Sequence, residues 1–202
     1  MNNSTRTTRS REARDPAANV TVLSGDLSGD DGANFANNGE NSYHVVTGAI
    51  DAILDGVTIT AGNANGDMAL AQDRGGGMYN EDSSPTIRNC TFNDNSAGYG
   101  GGMANYDSSS PSVTDCAFLK NESDFGGGMA NYDFSSPTVT HCSFVDNDAI
   151  YNNGHGAGML NDQYSSPTVS TCTFVDNKAF TGGGMDNYTG SSPIVTDCTF
   201  MG

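Results

Sequence analysis

The stretch that decides the fold is GGGMANYDFSSPTVTHCSFVDN, residues 126–147. It opens with a glycine triplet, turns at Pro137, and closes with a Cys-x-Phe-x-x-Asn motif that ends at Asn147. Short β-branched and aromatic runs with period-two alternation lie between residues that favour turns. No part of the stretch shows sustained helical periodicity. The pattern therefore predicts very short strands separated by bends.

The same unit occurs five times in one shared frame. Each copy has a Met after its glycines, a turn Pro, and a Cys two residues before a Phe. These markers are Met78, Met103, Met129, Met159 and Met185; Pro85, Pro111, Pro137, Pro167 and Pro193; and Cys90, Cys116, Cys142, Cys172 and Cys198. Both the Pro and the Cys residues are spaced by 26, 26, 30 and 26 residues. A fixed period of this length indicates a solenoid of stacked coils.

We therefore predict an all-β fold, a single-stranded right-handed parallel β-helix (β-solenoid) with three short strands per coil and about six coils. The predicted organisation is a disordered basic tail at residues 1–18, irregular N-terminal coils at 19–74, and five repeats at 75–202. A four-residue insertion falls near 148–156 in the fourth copy. Only 35% of the residues are hydrophobic, which suits the narrow core of a solenoid.

The alternation also predicts which side chains face inward. Val139, Cys142 and Phe144 cannot share one face of a flat strand, because Val to Cys is an odd step. A bend before each Cys, made by a residue with a left-handed backbone, resolves this parity. The residues at that position are Asn89, Asp115, His141, Thr171 and Asp197. Columns of Met, Val or Ile, Cys and Phe then fill the interior.

Two asparagine columns are predicted to form ladders, each amide bonding the coils above and below. One follows the Phe column, at Asn95, Asn121, Asn147 and Asn177, and the other follows the Met column. The Cys column is predicted to consist of buried free thiols, since no Cys/His metal spacing occurs and the number of Cys is odd.

The charge balance argues against several partners. The chain has 24 acidic and 8 basic residues, a net charge of −16, and four of its arginines lie in the first 14 residues. Nucleic acid is not an expected partner, because binding phosphates requires clustered Lys and Arg. No apolar run is long enough to insert into a membrane. Because no secretory signal or anchor is evident, we expect the chain to be an excerpt of a longer secreted or cell-surface protein.

The Phe-x-x-Asn motif (Phe92/Asn95 is the first) and the Gly-Gly motif resemble the repeats of chlamydial polymorphic outer-membrane proteins. They are more similar still to bacterial secreted right-handed β-helix repeat proteins of the pectate-lyase-like superfamily. The resemblance covers roughly residues 11–202 and departs in having Met after the glycines. It implies surface adhesion or scaffolding and identifies no catalytic residue.

Two sets of residues are candidate sites. Asp82, Asp107 and Asp133 form an acidic column, which either binds Ca²⁺ or is simply solvated; no other cofactor is expected. The insertion offers rings and amides suited to a sugar, at Tyr151, Asn152, Asn153 and His155. Insertions in solenoids form loops on one face, often the binding face, although a neutral insertion is the simpler reading.

Three functions remain open. The first is a noncatalytic module for adhesion, binding of carbohydrate or another surface receptor, or structural spacing, because the copies are uniform and no charged cluster stands out. The second is a fragment of a polysaccharide lyase or hydrolase. The third is an ice-binding solenoid, suggested by outward hydroxyls such as Thr138 and Thr140. Because the chain stops within its fifth copy, end-to-end self-association is also expected.

Overall fold

The computed structural model describes residues 19–150 and 152–202, so the predicted basic tail at residues 1–18 lies outside the described residues. The described strands are short, pair in parallel, and stack into four sheets. We name three sheets after the side chains that they direct inward, the Phe, Val and Met sheets. The fourth, which follows the ladder asparagine of each coil, is named the outer sheet.

The strand bounds follow the repeat. The Phe sheet contains Val22–Ser24, Thr58–Thr60, Thr91–Asn93, Ala117–Leu119, Ser143–Val145, Thr173–Val175 and Thr199–Met201. The Val sheet contains Ile53–Asp55, Thr86–Arg88, Ser112–Thr114, Thr138–Thr140, Thr168–Ser170 and Ile194–Thr196. The Met sheet contains Val46–Thr47, Met78–Glu81, Met103–Tyr106, Met129–Asn131, Met159–Asn161 and Met185–Asn187. The outer sheet contains Asn63–Ala64, Ser96–Tyr99, Glu122–Phe125, Asp148–Ala149 and Lys178–Ala179.

The predicted β-solenoid is confirmed, and a coil of three short strands fits this layout of four sheets. Each coil runs through the Met, Val and Phe sheets and then adds a run of two to four residues in the outer sheet. Two short 3₁₀ helices, Asn38–Glu40 and Met68–Leu70, interrupt the N-terminal coils. No helix among the described residues is long and apolar enough to cross a membrane.

The core is a set of columns in perfect register, as the alternation predicts. Phe118 pairs with Phe92 on one side and with Phe144 on the other, and all three side chains are fully buried. Adjacent Phe rings along the column are parallel within 4°, with centroids 4.6–4.8 Å apart. Each buried Phe or Met contributes about 1.5–3 kcal/mol. The thin apolar fraction therefore suffices because it is concentrated on one continuous axis.

Left-handed residues make the bends. The predicted residue before each Cys has φ between +52° and +54°, in all five copies, including the β-branched Thr171. The bend lets Val139, Cys142 and Phe144 all point inward, and each is buried. All five cysteines are free, and only Cys198 is partly exposed. The five thiols therefore lie in the interior at the predicted bend position of each copy.

Both asparagine ladders are present. In the ladder after the Phe column, each side-chain Nδ2–H and backbone N–H donate to Oδ1 of the next coil's asparagine at 2.9–3.1 Å, from Asn95 through Asn121 and Asn147 to Asn177. The ladder after the Met column has a single bond of 2.8 Å per coil, from Asn80 to Asn187. The amides of the ladder after the Phe column also bond backbone N–H and carbonyl groups at the bend.

Candidate functional site: the outer cleft

An outer cleft lies where the outer sheet faces the loop around Met68. Its cavity of about 390 Å³ is lined by Met68, Asp73, Tyr99, Asp124 and Phe125, together with residues 63–66 and 96–98. Tyr99 and Phe125 occupy the same register position in adjacent coils. The glycine that follows each of them has a left-handed backbone and returns the chain to the Met sheet. The repeat itself therefore places one aromatic ring from each of two adjacent coils at the cleft.

These rings belong to a larger aromatic network that lies outside the central core of the solenoid. Tyr99 and Phe125 stack at 5.1 Å, and Tyr99 meets the edge of Tyr132 at 5.4 Å. Tyr132 stacks on Tyr106 at 5.0 Å, while Phe125 stacks on His155 at 5.9 Å. Tyr106 and Tyr132 are buried on the outward face of the Met sheet, whereas Tyr99 and Phe125 are only partly buried. The network thus has a packed base and accessible rings at the cleft.

Arg74 lies within this network. Its guanidinium carbon is 4.1 Å from the centroid of the Tyr106 ring, a cation–π contact. Its Nε lies 3.5 Å from Oδ1 of Asp73, too far for a strong hydrogen bond. Arg74 is therefore held between an aromatic face and a carboxylate and is not free to receive an anionic ligand.

Asp73 is the most unusual side chain of the cleft. The residue is only 8% exposed, and its Oδ1 accepts no hydrogen bond from the described residues. A buried carboxylate oxygen without a donor is destabilising unless a ligand or water supplies one. The Arg74 guanidinium, with Nε at 3.5 Å, is the positive charge that faces this oxygen.

The electrostatic potential of the cleft is negative. Burial raises the pKa of Tyr99, and the charges of Asp73 and Asp124 raise it further, against the opposing effect of Arg74. Burial is also the main reason that the pKa of Tyr132 lies above its usual range, with Asp162 adding to it. Both phenols therefore stay neutral at physiological pH and can donate hydrogen bonds.

The insertion in the fourth copy reaches the same surface. Asn152 donates from Nδ2 to Oδ2 of Asp124 at 2.8 Å, and His155 stacks on Phe125. Asn153 is exposed and has a left-handed backbone, while Tyr151 lies outside the described residues. The structure thus brings two of the four predicted insertion residues to the cleft.

His155, Asp186 and Thr181 form a small polar cluster beside the cleft. His155 Nδ1 lies 2.9 Å from Oδ2 of Asp186, and Thr181 Oγ1 donates to that same oxygen at 2.8 Å. Thr181 also contacts His155 through Nδ1. A nucleophile relay needs the hydroxyl and the carboxylate on different ring nitrogens. This arrangement is therefore suited to fixing the imidazole and not to activating Thr181.

The acidic column, for which calcium binding and plain solvation were both open, lies elsewhere. Asp82, Asp107 and Asp133 occupy the bend after the Met sheet, and all three have φ between +46° and +51°. Aspartate tolerates this conformation, so the backbone geometry of the bend alone explains why aspartate recurs at this position. Burial, followed by repulsion from Asp107, raises the pKa of Asp133. Among the described residues, the three-acid group with ligand atoms within 4.8 Å of one another is instead Asp26, Asp30 and Glu40.

The hydroxyl grid lies on the outward face of the Val sheet. Thr86, Ser112, Thr138 and Thr168 are in register and exposed. Ile53 and Ile194 occupy the same position in the first and last strands, and Arg88 lies beside Thr86. The grid is therefore limited to the central coils.

Sequence reasoning missed Asp73, Arg74, Tyr99, Asp124 and Phe125. Tyr99 and Phe125 were available signals, since an aromatic residue directly before the glycine triplet recurs in two adjacent copies. Asp73 and Arg74 gave no signal, because they belong to an irregular coil without a repeat frame.

The comparisons with known proteins agree with this architecture. The family model for the right-handed beta helix region matches residues 27–200. Neither the curated proteins nor the solved structures contain a match to the chain. Because the matched segment spans nearly the whole solenoid, the chain belongs to the right-handed β-helix family.

Proposed function

We propose that the protein is a noncatalytic β-helix module of a secreted or cell-surface bacterial protein, and that it binds carbohydrate at the outer cleft. One observation carries the proposal. Tyr99 and Phe125 present rings 5.1 Å apart and parallel within 19°, in a cavity that also contains the carboxylates of Asp73 and Asp124. Because each ring stacks on the next, the rings offer their edges as an apolar surface for a sugar, and the carboxylates accept hydrogen bonds from its hydroxyls.

The insertion supports this function. Asn152 adds an amide next to Asp124, and His155 extends the aromatic surface by a third ring in register with Tyr99 and Phe125. A ligand chain that runs along the solenoid axis would meet rings in three successive coils, about 4.8 Å apart. This periodicity favours an extended polymer over a small globular ligand.

Binding is tested by titration calorimetry and affinity electrophoresis with a panel of soluble glycans. We expect Tyr99→Ala to lower the affinity by up to about tenfold, since it removes the apolar contact of one ring and the ring on which Phe125 packs. Tyr99→Phe preserves the ring and should bind nearly as well as the wild type. Phe134→Ala is the matched control, because its ring is 62% exposed and lies at the bend after the Met sheet. No binding to any glycan, or equal losses in Tyr99→Ala and Phe134→Ala, would contradict the proposal.

A carbohydrate-active enzyme is the second candidate, and one observation favours it. Glu122 and Asp148 are direct neighbours in adjacent coils of the outer sheet. Burial raises the pKa of Glu122, and Asp148 raises it further, as in a general acid beside a carboxylate. An assay for reducing-end or unsaturated products on the same glycans decides between the two. Product formation that is lost in Glu122→Gln but kept in Asp115→Asn would contradict the noncatalytic proposal and support the enzyme.

A further inference from the structure

The aromatic position of the fourth copy is occupied by a histidine. His155 directly precedes Gly156, as Tyr99 precedes Gly100, and it pairs in register with Phe125. Its ring stacks on Phe125 with the centroids 5.9 Å apart, so it continues the row of rings along the outer sheet. The imidazole adds two ring nitrogens to this row, and these nitrogens can recognise a polar group of a ligand.

The first nitrogen, Nδ1, is committed to Asp186. It lies 2.9 Å from Asp186 Oδ2, and the side chain of Asp186 is only 19% exposed. The backbone N–H of Asn187 donates to the other carboxylate oxygen at 2.9 Å, and the Thr181 hydroxyl donates to Oδ2 at 2.8 Å. The carboxylate is therefore oriented by two donors and holds the imidazole ring in place.

These bonds fix the position of the proton on the neutral imidazole. The ionised carboxylate of Asp186 can only accept a hydrogen bond, and the single hydrogen of the Thr181 hydroxyl is used on that same carboxylate. Nδ1 of His155 therefore carries the proton. In a neutral imidazole the second nitrogen, Nε2, is then a hydrogen-bond acceptor.

Nε2 is the nitrogen that remains for a ligand. It makes no hydrogen bond to a described residue, and it is not one of the buried polar atoms that lack a partner in that part of the chain. The side chain of His155 is 22% exposed, so solvent reaches this edge of the ring. The group of three metal-ligating side chains among the described residues is Asp26, Asp30 and Glu40, so Nε2 does not belong to a metal centre there. It is therefore available for a hydrogen bond from a hydroxyl.

We infer that His155 is a specificity-determining contact of the carbohydrate site: its Nε2 accepts a hydrogen bond from a hydroxyl of the ligand, and Asp186 is the residue that positions the ring. This inference rests on the carbohydrate-binding function proposed above and assigns the chemical class that the site selects, a neutral sugar unit with a hydroxyl donor at the fourth copy. A carboxylate offers only acceptors to Nε2, so a uronic acid unit that presents its carboxylate there is disfavoured.

Nitrogen-15 NMR of the imidazole groups of the full 202-residue chain tests the position of the proton, because protonated and unprotonated ring nitrogens differ in chemical shift. We expect neutral His155 to carry its proton on Nδ1, which is the tautomer that free histidine disfavours. Asp186→Asn should shift His155 toward the other tautomer, because the new amide can donate to Nδ1. Asp115→Asn is the matched control at an exposed bend and should leave the tautomer unchanged. A proton on Nε2 of neutral His155 in the wild type would overturn the inference.

The probes for the ligand contact are neutral cello-, xylo- and N-acetylchito-oligosaccharides. Binding of one of them should shift the Nε2 resonance of His155. His155→Phe keeps an aromatic ring at this position and should lower the affinity about fivefold, through the loss of one hydrogen bond. Asp186→Asn should cause a smaller loss, and Asp115→Asn should cause none.

The outcomes separate this inference from the function on which it rests. If a probe binds and Tyr99→Ala weakens its binding, but neither the Nε2 resonance nor the affinity of His155→Phe changes, the contact with His155 is refuted and the proposed function stands. Failure of every glycan to bind would remove both.

Discussion

Asn121 donates both its backbone N–H and its side-chain Nδ2–H to a single oxygen, Oδ1 of Asn147, each at 3.0 Å. The same Nδ2 also donates to the carbonyl of Phe92 at 3.0 Å, on the opposite side of the coil. One amide therefore ties three consecutive coils together at a bend where the strand pattern is broken. Aspartate could not replace it, because a carboxylate lacks the two donors.

Asn121→Ala should lower the free energy of unfolding by about 3 kcal/mol. The change removes the acceptor of the buried Asn95 backbone N–H, one hydrogen bond of the Asn95 amide and the bond to the Phe92 carbonyl. Asn177→Ala is the control, since Asn177 is only partly buried and lies near the end of the ladder. Chemical denaturation of both variants measures the difference. Equal losses would show that the ladder position does not matter.

Phe144→Ala should lower the free energy of unfolding by about 3–5 kcal/mol. Its ring is fully buried between Phe118 and Phe174, which cannot close the space without shifting their own registered strands. Phe200→Ala should have a smaller effect, because Phe200 is 48% exposed at the last strand. Denaturant midpoints at constant m-value provide the test. A midpoint for Phe144→Ala equal to that of the wild type would contradict the stacked core.

Thr171→Asn should stabilise the protein by about 1 kcal/mol. Thr171 has φ +53° and an exposed side chain, so β-branching strains the bend without any gain in packing. Asparagine already occupies this position as Asn89. The reverse change Asp115→Thr should destabilise by a similar amount. If both substitutions change the melting temperature in the same direction, backbone strain at the bend is not the cause.

Glu122→Gln should stabilise the protein at neutral pH and have little effect at acidic pH. Burial and Asp148 raise the folded-state pKa of Glu122 above its ordinary value of 4.5. The folded state therefore holds the proton more tightly, so the ionised carboxylate destabilises it as pH rises through the folded pKa. Below 4.5 the group is protonated in both states and the penalty disappears. Melting temperatures from pH 3 to 8 test this, with Asp51→Asn at an exposed position as the control. If the difference in melting temperature between Glu122→Gln and the wild type grows toward low pH, the prediction is wrong.

The repeat made much of the fold predictable. The five Cys and five Pro positions share one frame, from which the Met positions depart by one residue between Met78 and Met103, so the inward columns, both ladders and the bend before each Cys followed from spacing and parity. The outer cleft did not follow, because it forms between the regular coils and the irregular residues 63–73, which have no copy to align. Arg74 illustrates the difference, since its stacking on Tyr106 depends on a tertiary contact across 32 residues.

The last strands of the solenoid are predicted to mediate end-to-end association of the 202-residue chain. Ile194–Thr196 and Thr199–Met201 each pair with a neighbouring strand on one side, and Val195, Phe200 and Met201 are 40%, 48% and 57% exposed. Such an apolar edge is a template for further parallel pairing. Light scattering over a hundredfold range of concentration should show mass increasing with concentration.

Met201→Lys should suppress this association, because a charge on an exposed edge opposes pairing with another chain. Thr138→Lys adds the same charge in the middle of the Val sheet and serves as the control. If the end instead remains unpaired, amides of residues 185–202 should exchange faster than those of the central coils, since local opening follows poor burial. A monomer at all concentrations whose amides in that segment are strongly protected would contradict both expectations, because the exposed apolar edge would then be neither paired nor frayed.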